Sequence, residues 1–190
     1  MTTTWTILST SDWDGSSNDM RILGEQAAVL SLSLSLILLS PGCRSADITA
    51  VESARMYFGD TVQLGTASEV PSRSGPSDSV QTAYGSSGVE GYVATVYCKS
   101  KSNLFPVRVV MDEGFQVLSA IVLSYPSHRG RRVRSPGFSK QFRGKGPNDP
   151  IMVGKDIDAV SGATSSSSAM ANAVRRAIRT AQRAAMRRSG

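Results

Sequence analysis

A turn of small residues, Asp158-Ala-Val-Ser-Gly-Ala-Thr164, is followed by four serines and then by a helical pattern from about Ala169 to Arg188. Thr and Ser side chains in the first turn of a helix can cap backbone N–H groups that lack partners within the helix. Glycine lets a ligand approach the backbone closely. Because free N–H groups and the helix dipole attract anions, the stretch indicates a phosphate-bearing ligand near Thr164. An ordinary capped helix after a serine-rich loop explains the same pattern.

This stretch resembles the signature of the FMN-binding domain family, whose fixed positions are filled here by Asp158, Ser161, Gly162, Ala163 and Thr164. The family includes the covalent-FMN subunits of the sodium-translocating NADH:quinone oxidoreductase and of the Rnf complex. In these proteins a flavin transferase attaches FMN through its phosphate to the threonine that ends the signature. The resemblance implies FMN as the cofactor and Thr164 as its attachment site. It also implies a phosphate pocket shaped by Ser161, Gly162, Ala163 and Ser165.

Two further segments carry the resemblance, which covers roughly residues 50–181. They are Gly91-Tyr-Val93, similar to a strand start of the family, and Gln141-Phe-x-Gly-Lys145. A third segment departs from the pattern, because Ser135-Pro-Gly137 stands where the family has a Thr-Pro-Gly turn near the flavin. Arg134 precedes this turn in place of an acidic residue. The departure puts flavin contacts from this loop in doubt.

The length of 190 residues suits one modest domain with a tail or anchor. The net charge of +6 is unevenly distributed along the chain. Residues 1–128 hold 7 basic and 12 acidic side chains, whereas residues 129–190 hold 14 and 3. A basic half of this kind favours an anionic neighbour, such as a phosphate, a nucleic acid or lipid headgroups.

Residues 1–43 have the pattern of a leader followed by an export signal. Met20-Arg21 offers a second start site beside Met1 and precedes an apolar run, residues 27–39, that is too short for a comfortable transmembrane helix. Cys43 follows Gly42 and resembles the cleavage site of a bacterial lipoprotein, although Ser40 stands where an apolar residue is usual. We therefore expect an exported protein that is anchored in the cell envelope, with lipidation at Cys43. A plain cleaved signal and an uncleaved anchor remain alternatives.

Few other residue types indicate chemistry. Besides Cys43 the only cysteine is Cys98, so no disulfide framework is expected, and the only histidine is His128. We predict no metal site and no catalytic residue. The arginines of residues 129–134 form either a solvated loop or a cluster that binds an anion.

Residues 44–190 are expected to form the FMN-binding domain with a basic C-terminal helix. Period-two patterns predict strands over residues 80–84, 89–97, 105–111 and 115–123, with a turn at residues 85–88 and a hairpin turn at residues 112–114. Helices are predicted over residues 47–58 and 138–142, a loop over residues 65–79, and a short strand over residues 151–153. The final helix carries an apolar stripe, and its last turns are expected to be solvated. The fold class is therefore α+β, an antiparallel sheet flanked by helices, with the flavin at the start of the last helix.

By resemblance, this is an electron carrier or a subunit of a redox complex rather than a self-contained enzyme. Its expected partners are a flavin transferase, a membrane redox partner and, through the anchor, the membrane. A noncovalent FMN- or phosphate-binding module without a redox role is an alternative. A nucleic-acid-binding protein is another, against which the export signal and the lack of a nucleic-acid motif argue.

Overall fold

The structure is a computed structural model, and it describes residues 45–72, 75–101 and 103–188. The predicted export signal and Cys43 lie outside these residues. An antiparallel sheet occupies the centre of the described part, and its strands are β1 (Gln63–Leu64), β2 (Ser68–Val70), β3 (Asp78–Gly85), β4 (Gly88–Lys99), β5 (Leu104–Asp112) and β6 (Val117–Val122). The helices are α1 (Ser45–Phe58), a 3₁₀ turn (Arg131–Arg134), α2 (Pro136–Lys140) and α3 (Thr164–Arg188). The fold class is α+β, as predicted.

The four long strands form a meander in the order β3-β4-β5-β6, and the short β1 and β2 both pair with β3. The turn at Ser86–Ser87 and the hairpin after Asp112 join them as the sequence predicts. The prediction of a loop over residues 65–79 was wrong for Ser68–Val70. This strand is only three residues long, so it shows no readable alternation.

The two faces of the sheet are covered by different helices. Tyr92, Ala94 and Val96 of β4 point into the larger core, which α2 and α3 complete. The alternate residue Val93 belongs to a smaller core under α1. Gly91 lies where any side chain would collide with the Met111 carbonyl and the Phe58 ring. This close approach lets α1 lie directly on the sheet.

Helix α3 begins at Thr164, five residues before the predicted start near Ala169. The prediction began the helix after the four serines, and serine is a residue that competes with helical hydrogen bonding. Here two of them, Ser166 and Ser167, are buried. Ser166 Oγ lies in hydrogen-bond contact with Tyr125 Oη, and Ser167 Oγ donates to the Ala163 carbonyl at 3.0 Å and accepts from Val160 N at 3.1 Å. The predicted apolar stripe is confirmed, since Ala173, Val174, Ala177, Ile178 and Ala181 are all buried.

One smaller expectation was wrong. Residues 151–153 form no strand, since only Val153 makes an isolated bridge, to Ile157. The positive φ of 43° at Ile151 takes the backbone out of the extended region. The last turn of α3 is exposed, as expected, and its Arg188 also contacts the sheet. The Arg188 guanidinium donates to the hydroxyl groups of Tyr84 and Tyr92 and lies over both rings.

The short helix predicted near Phe138 is present as α2. Phe138 and Phe142 are both buried, with their rings packed edge to face at 5.3 Å. Among the described residues, no helix combines the length and the apolar character that crossing a membrane requires.

Candidate functional site

The small-residue stretch forms a tight turn directly before α3. Gly162 has a φ of +74°, in the left-handed region that glycine adopts without strain. The backbone N–H of Ala163 bonds to the Val160 carbonyl at 2.9 Å, and Ser167 N bonds to the Ala163 carbonyl at 2.8 Å. Ala163 is therefore the N-cap of α3, and Thr164 is its first helical residue. The N–H groups of Thr164 and Ser165 precede the first helical hydrogen bond and point out of the helix end.

Thr164 lies at the edge of a cleft of about 470 Å³, within the size range of small-molecule sites. The side chain of Thr164 is exposed, so its hydroxyl is accessible from the cleft. The α3 end contributes five lining residues, namely Gly162, Ala163, Thr164, Ser165 and Ser166. The other wall comes from the β4–β5 connection and from the loop after β6, with Ser100, Lys101, Asn103, Tyr125, Ser127, Arg129 and Gly130.

Hydrogen bonds hold the two walls together. Tyr125 Oη lies 2.6 Å from Ser166 Oγ, and it accepts from Asn103 Nδ2 at 3.3 Å. The backbone N–H of Lys101 donates to Ser165 Oγ at 3.3 Å. The first turn of α3 is thus tied to both loops that face it, and the cleft keeps its shape through contacts between distant parts of the chain.

The electrostatics of the cleft favour an anion. Lys101 and Arg129 are the charged residues that line it, and no carboxylate lines it within the described part of the chain. The N-terminus of α3 adds the positive end of the helix dipole. Proteins bind phosphate with hydroxyl groups, backbone N–H groups and cationic side chains. The cleft contains all three kinds of donor. This donor set fits the phosphate end of FMN.

A second set of contacts fixes the turn itself. Gln141 accepts from the backbone N–H of Asp158 at 2.7 Å and donates to its carbonyl at 3.3 Å. Lys145 forms a 3.0 Å salt bridge with Asp156, whose carboxylate also accepts from the N–H groups of Ile151 and Met152. Burial raises the pKa of Asp156, but these hydrogen bonds and the Lys145 charge outweigh it and hold the pKa below its usual value.

The structure divides the predicted site residues into two groups. Gly162, Ala163, Thr164 and Ser165 line the cleft together, whereas Asp158 and Ser161 do not. Both of these side chains are exposed. Asp158 takes part through its backbone, which Gln141 holds in place.

Sequence reasoning missed most of the opposite wall. Ser100, Asn103 and Tyr125 carried no local signal, because they meet α3 only through contacts between residues far apart in the chain. Arg129 did have a signal, the cluster of arginines. Pro136, in the segment that replaces the family's Thr-Pro-Gly turn, begins α2 and lines a different groove. No group of His, Cys, Asp or Glu suited to a metal ion occurs among the described residues.

Comparison with known proteins places these features in a family. The family model described as the FMN-binding domain matches residues 59–179, which is more than half of the chain. No curated protein matches the chain. Among solved structures, the crystal structure of NqrC from Shewanella oneidensis is similar at 19% identity with a TM-score of 0.45. The similarity covers 58% of this chain and 62% of that one, so this chain spans less than two thirds of that protein.

Proposed function

The chain belongs to the FMN-binding domain family and takes FMN as its cofactor, and on that premise we propose that it is an exported electron-transfer protein with FMN attached through its phosphate to Thr164. The observation that carries the proposal is the position of Thr164. It is the first residue of α3, its side chain is exposed, and it borders a cleft whose charged lining residues are cationic.

The residues around Thr164 have distinct roles in this proposal. The N–H groups at the α3 end, together with Lys101 and Arg129, compensate the phosphate charge. Gly162 provides the turn that exposes the helix end. Gln141 and Ser167 hold the backbone of this turn in place before α3 through hydrogen bonds. When bound, the flavin ring supplies the redox chemistry, while the protein supplies attachment and electrostatics.

Attachment requires a flavin transferase and a phosphoanhydride of FMN as the donor. The bond between Thr164 Oγ1 and the phosphorus of FMN forms while the bond from that phosphorus to its leaving group breaks. The hydroxyl proton departs with the leaving group. The protein therefore gains the mass of FMN minus one water, and no oxidation or reduction occurs in this step.

The cellular setting is proposed from the sequence alone. Residues 1–43 would export the domain, residues 44–190, and Cys43 would carry a lipid that anchors it in the bacterial cell envelope. Among the described residues that line the cleft, none is an Asp, Glu or His that would act on a substrate as an acid or base. The protein would then accept electrons from a membrane redox partner, or pass electrons to one, as a carrier or a complex subunit.

Intact mass spectrometry tests the attachment. The wild-type protein is co-expressed with a flavin transferase in an exporting host, beside Thr164→Val and the control Thr66→Val, an exposed threonine outside the cleft. We expect the FMN-minus-water increment in the wild type and in Thr66→Val, but not in Thr164→Val. Thr164→Ser should retain modification, because it keeps a hydroxyl at the same place.

An unmodified wild type would refute covalent attachment, provided that the transferase modifies a known substrate in the same cells. FMN released on denaturation of such a protein would support the alternative, a noncovalent FMN-binding module. Modification that persists in Thr164→Val would show that FMN is attached to another hydroxyl group. The neighbouring Ser165 carries such a hydroxyl.

A further inference from the structure

A second groove runs along β6, the last strand of the sheet. It has a volume of about 360 Å³, and its floor is the strand itself, from Leu118 to Val122. The outer edge of β6 is covered at Val117. The Val117 carbonyl accepts from Gly144 N, and the Val117 N–H donates to the Lys145 carbonyl, each at 2.8 Å. Beyond Val117, the described residues add no further strand to this edge. An uncovered edge presents backbone N–H and C=O groups to another chain.

The groove combines an apolar floor with a basic rim. Ile121 is 41% exposed and Tyr57 is 40% exposed, so both side chains present apolar or aromatic surface in the groove. The charged residues of the rim are Arg134, Lys140 and Arg143. No Asp or Glu lines the groove within the residues that the structure describes. The site therefore has unbalanced positive charge beside exposed apolar surface and an open strand edge.

We propose that this groove docks an extended acidic segment of a partner protein, which adds to the sheet as a strand next to β6. Strand addition uses backbone hydrogen bonds for affinity and alternate side chains for selectivity. Apolar side chains of the segment would lie over Ile121 and Tyr57. Its carboxylates would meet the guanidinium groups of Arg134 and Arg143. The proposal goes beyond flavin binding and does not depend on it.

Charge and shape distinguish this occupant from two others. A second copy of the chain paired edge to edge would bring two sets of Arg134, Lys140 and Arg143 together, and like charges across an interface oppose binding. An anionic membrane matches the charge but not the shape, since a lipid surface is broad and provides no strand to pair with β6. A single acidic strand satisfies the charge, the shape and the backbone groups at once.

The segment of residues 129–134 connects the groove to the flavin cleft. Arg129 lines the cleft, and Arg134 lines the groove. Between them, Val133 is fully buried and anchors the segment in the larger core. A partner that docks in the groove would therefore contact a segment that also forms a wall of the cleft, which suits a protein that exchanges electrons with the cofactor.

Peptide titration of the full chain tests the proposal. The probes are a short peptide of alternating Glu and Val, its Lys–Val counterpart, and a Glu–Val peptide of the same charge interrupted by two prolines, which cannot form a regular strand. Binding is measured by calorimetry, and its location by amide hydrogen exchange. We expect binding of the uninterrupted acidic peptide alone, with new protection of amides between Leu118 and Val122.

Two pairs of charge reversals provide the matched comparison. Arg134→Glu with Arg143→Glu alters the rim, and Arg183→Glu with Arg187→Glu makes the same change of net charge on exposed positions of α3. The rim pair should weaken peptide binding roughly tenfold or more, because each reversal replaces an attraction by a repulsion, and the α3 pair should change it by less than about twofold. Ile121→Thr should weaken it by removing apolar contact without adding a charge, and it should not affect the fold, since this side chain is already 41% exposed.

Several results would overturn the proposal. These are no binding of the acidic peptide, equal binding of the proline-containing peptide, equal weakening by the two charge-reversal pairs, or protection that appears outside β6. Vesicles of phosphatidylglycerol in phosphatidylcholine provide the remaining test. Vesicle binding that depends on Arg134 and Arg143, without peptide binding, would assign the surface to a membrane instead.

Discussion

Replacing Arg176 by Met should destabilise the fold far more than a surface substitution on the same helix. Asp78 is 1% exposed, and its carboxylate accepts from Arg176 Nε at 2.5 Å and from Tyr97 N at 3.0 Å. The same guanidinium donates to the Tyr97 carbonyl, also at 2.5 Å. These contacts fasten α3 to β3 and β4. The Met variant keeps the volume of the side chain but leaves the carboxylate of Asp78 buried without its countercharge.

The expected loss of stability depends on the interactions that Asp78 keeps in the variant. Removing one partner of a buried ion pair costs about 3–5 kcal/mol. Asp78 keeps the Tyr97 N–H, and the Arg176 side chain is 36% exposed, so solvent screens part of the interaction. We therefore expect a loss of about 2–3 kcal/mol in the free energy of unfolding. Adding Asp78→Asn removes the stranded charge while retaining an acceptor for Tyr97, and it should restore roughly 1 kcal/mol.

Urea unfolding monitored by circular dichroism measures the effect. With an m value of about 2 kcal/mol/M, the midpoint of Arg176→Met should fall by roughly 1 M or more. Arg183→Met is the control, because Arg183 is exposed on the same helix, and it should change stability by less than about 0.5 kcal/mol. Equal shifts for the two variants would refute the reasoning, and so would a double variant less stable than Arg176→Met alone.

Two further predictions concern the turn before α3. Gln141→Leu removes both hydrogen bonds to the Asp158 backbone, so FMN attachment at Thr164 should slow while global stability falls by only about 1–2 kcal/mol. Intact mass at fixed times tests this against the exposed control Gln63→Leu, and equal rates would contradict it. The second prediction concerns pH. Because the pKa of Asp156 is lowered in the folded protein, its carboxylate contributes fully to the stability of the fold above the ordinary carboxyl pKa of about 4. This contribution is lost as the pH falls through the pKa of the folded state. The difference in melting temperature between the wild type and Asp156→Asn should therefore be largest near neutral pH and shrink in acid, and a pH-independent difference would count against this account.

The parts of the fold that could be predicted from the sequence are those fixed by local patterns. Alternation of apolar residues located the four long strands. The adjacent residues Tyr92 and Val93 belong to the cores on opposite faces of the sheet, as such alternation requires. The start of α3 was harder to predict, because serine favours turns over helix interiors. Ser167 belongs to the helix through its bonds to Val160 and Ala163, and the spacing of the serines gives no sign of these bonds.

The candidate site could be predicted only on one side. The glycine turn and Thr164 lie within a few residues of each other, so their proximity is local and readable. Tyr125 and Ser166 are 41 positions apart, and their contact depends on how β6 and α3 are placed by the sheet. Asp158 shows a different limit. A residue at a fixed position of a signature can hold the backbone of the site in place and make no contact with the ligand. For Asp158, only the hydrogen bonds between its backbone and Gln141 reveal which of these roles applies.

The charge pattern also changes meaning once the fold is known. The excess of basic residues after position 128 suggests a single anionic neighbour, but the structure assigns these residues to different tasks. Arg176 is used internally against Asp78, and Lys145 is used against Asp156. Arg129 borders the cleft at the start of α3, whereas Arg134 borders the groove along β6. Since screening by salt acts mainly on exposed charges, the binding of an anionic partner should depend on the few cations of one groove. The net charge of the whole chain is therefore a poor guide to its affinity for such a partner.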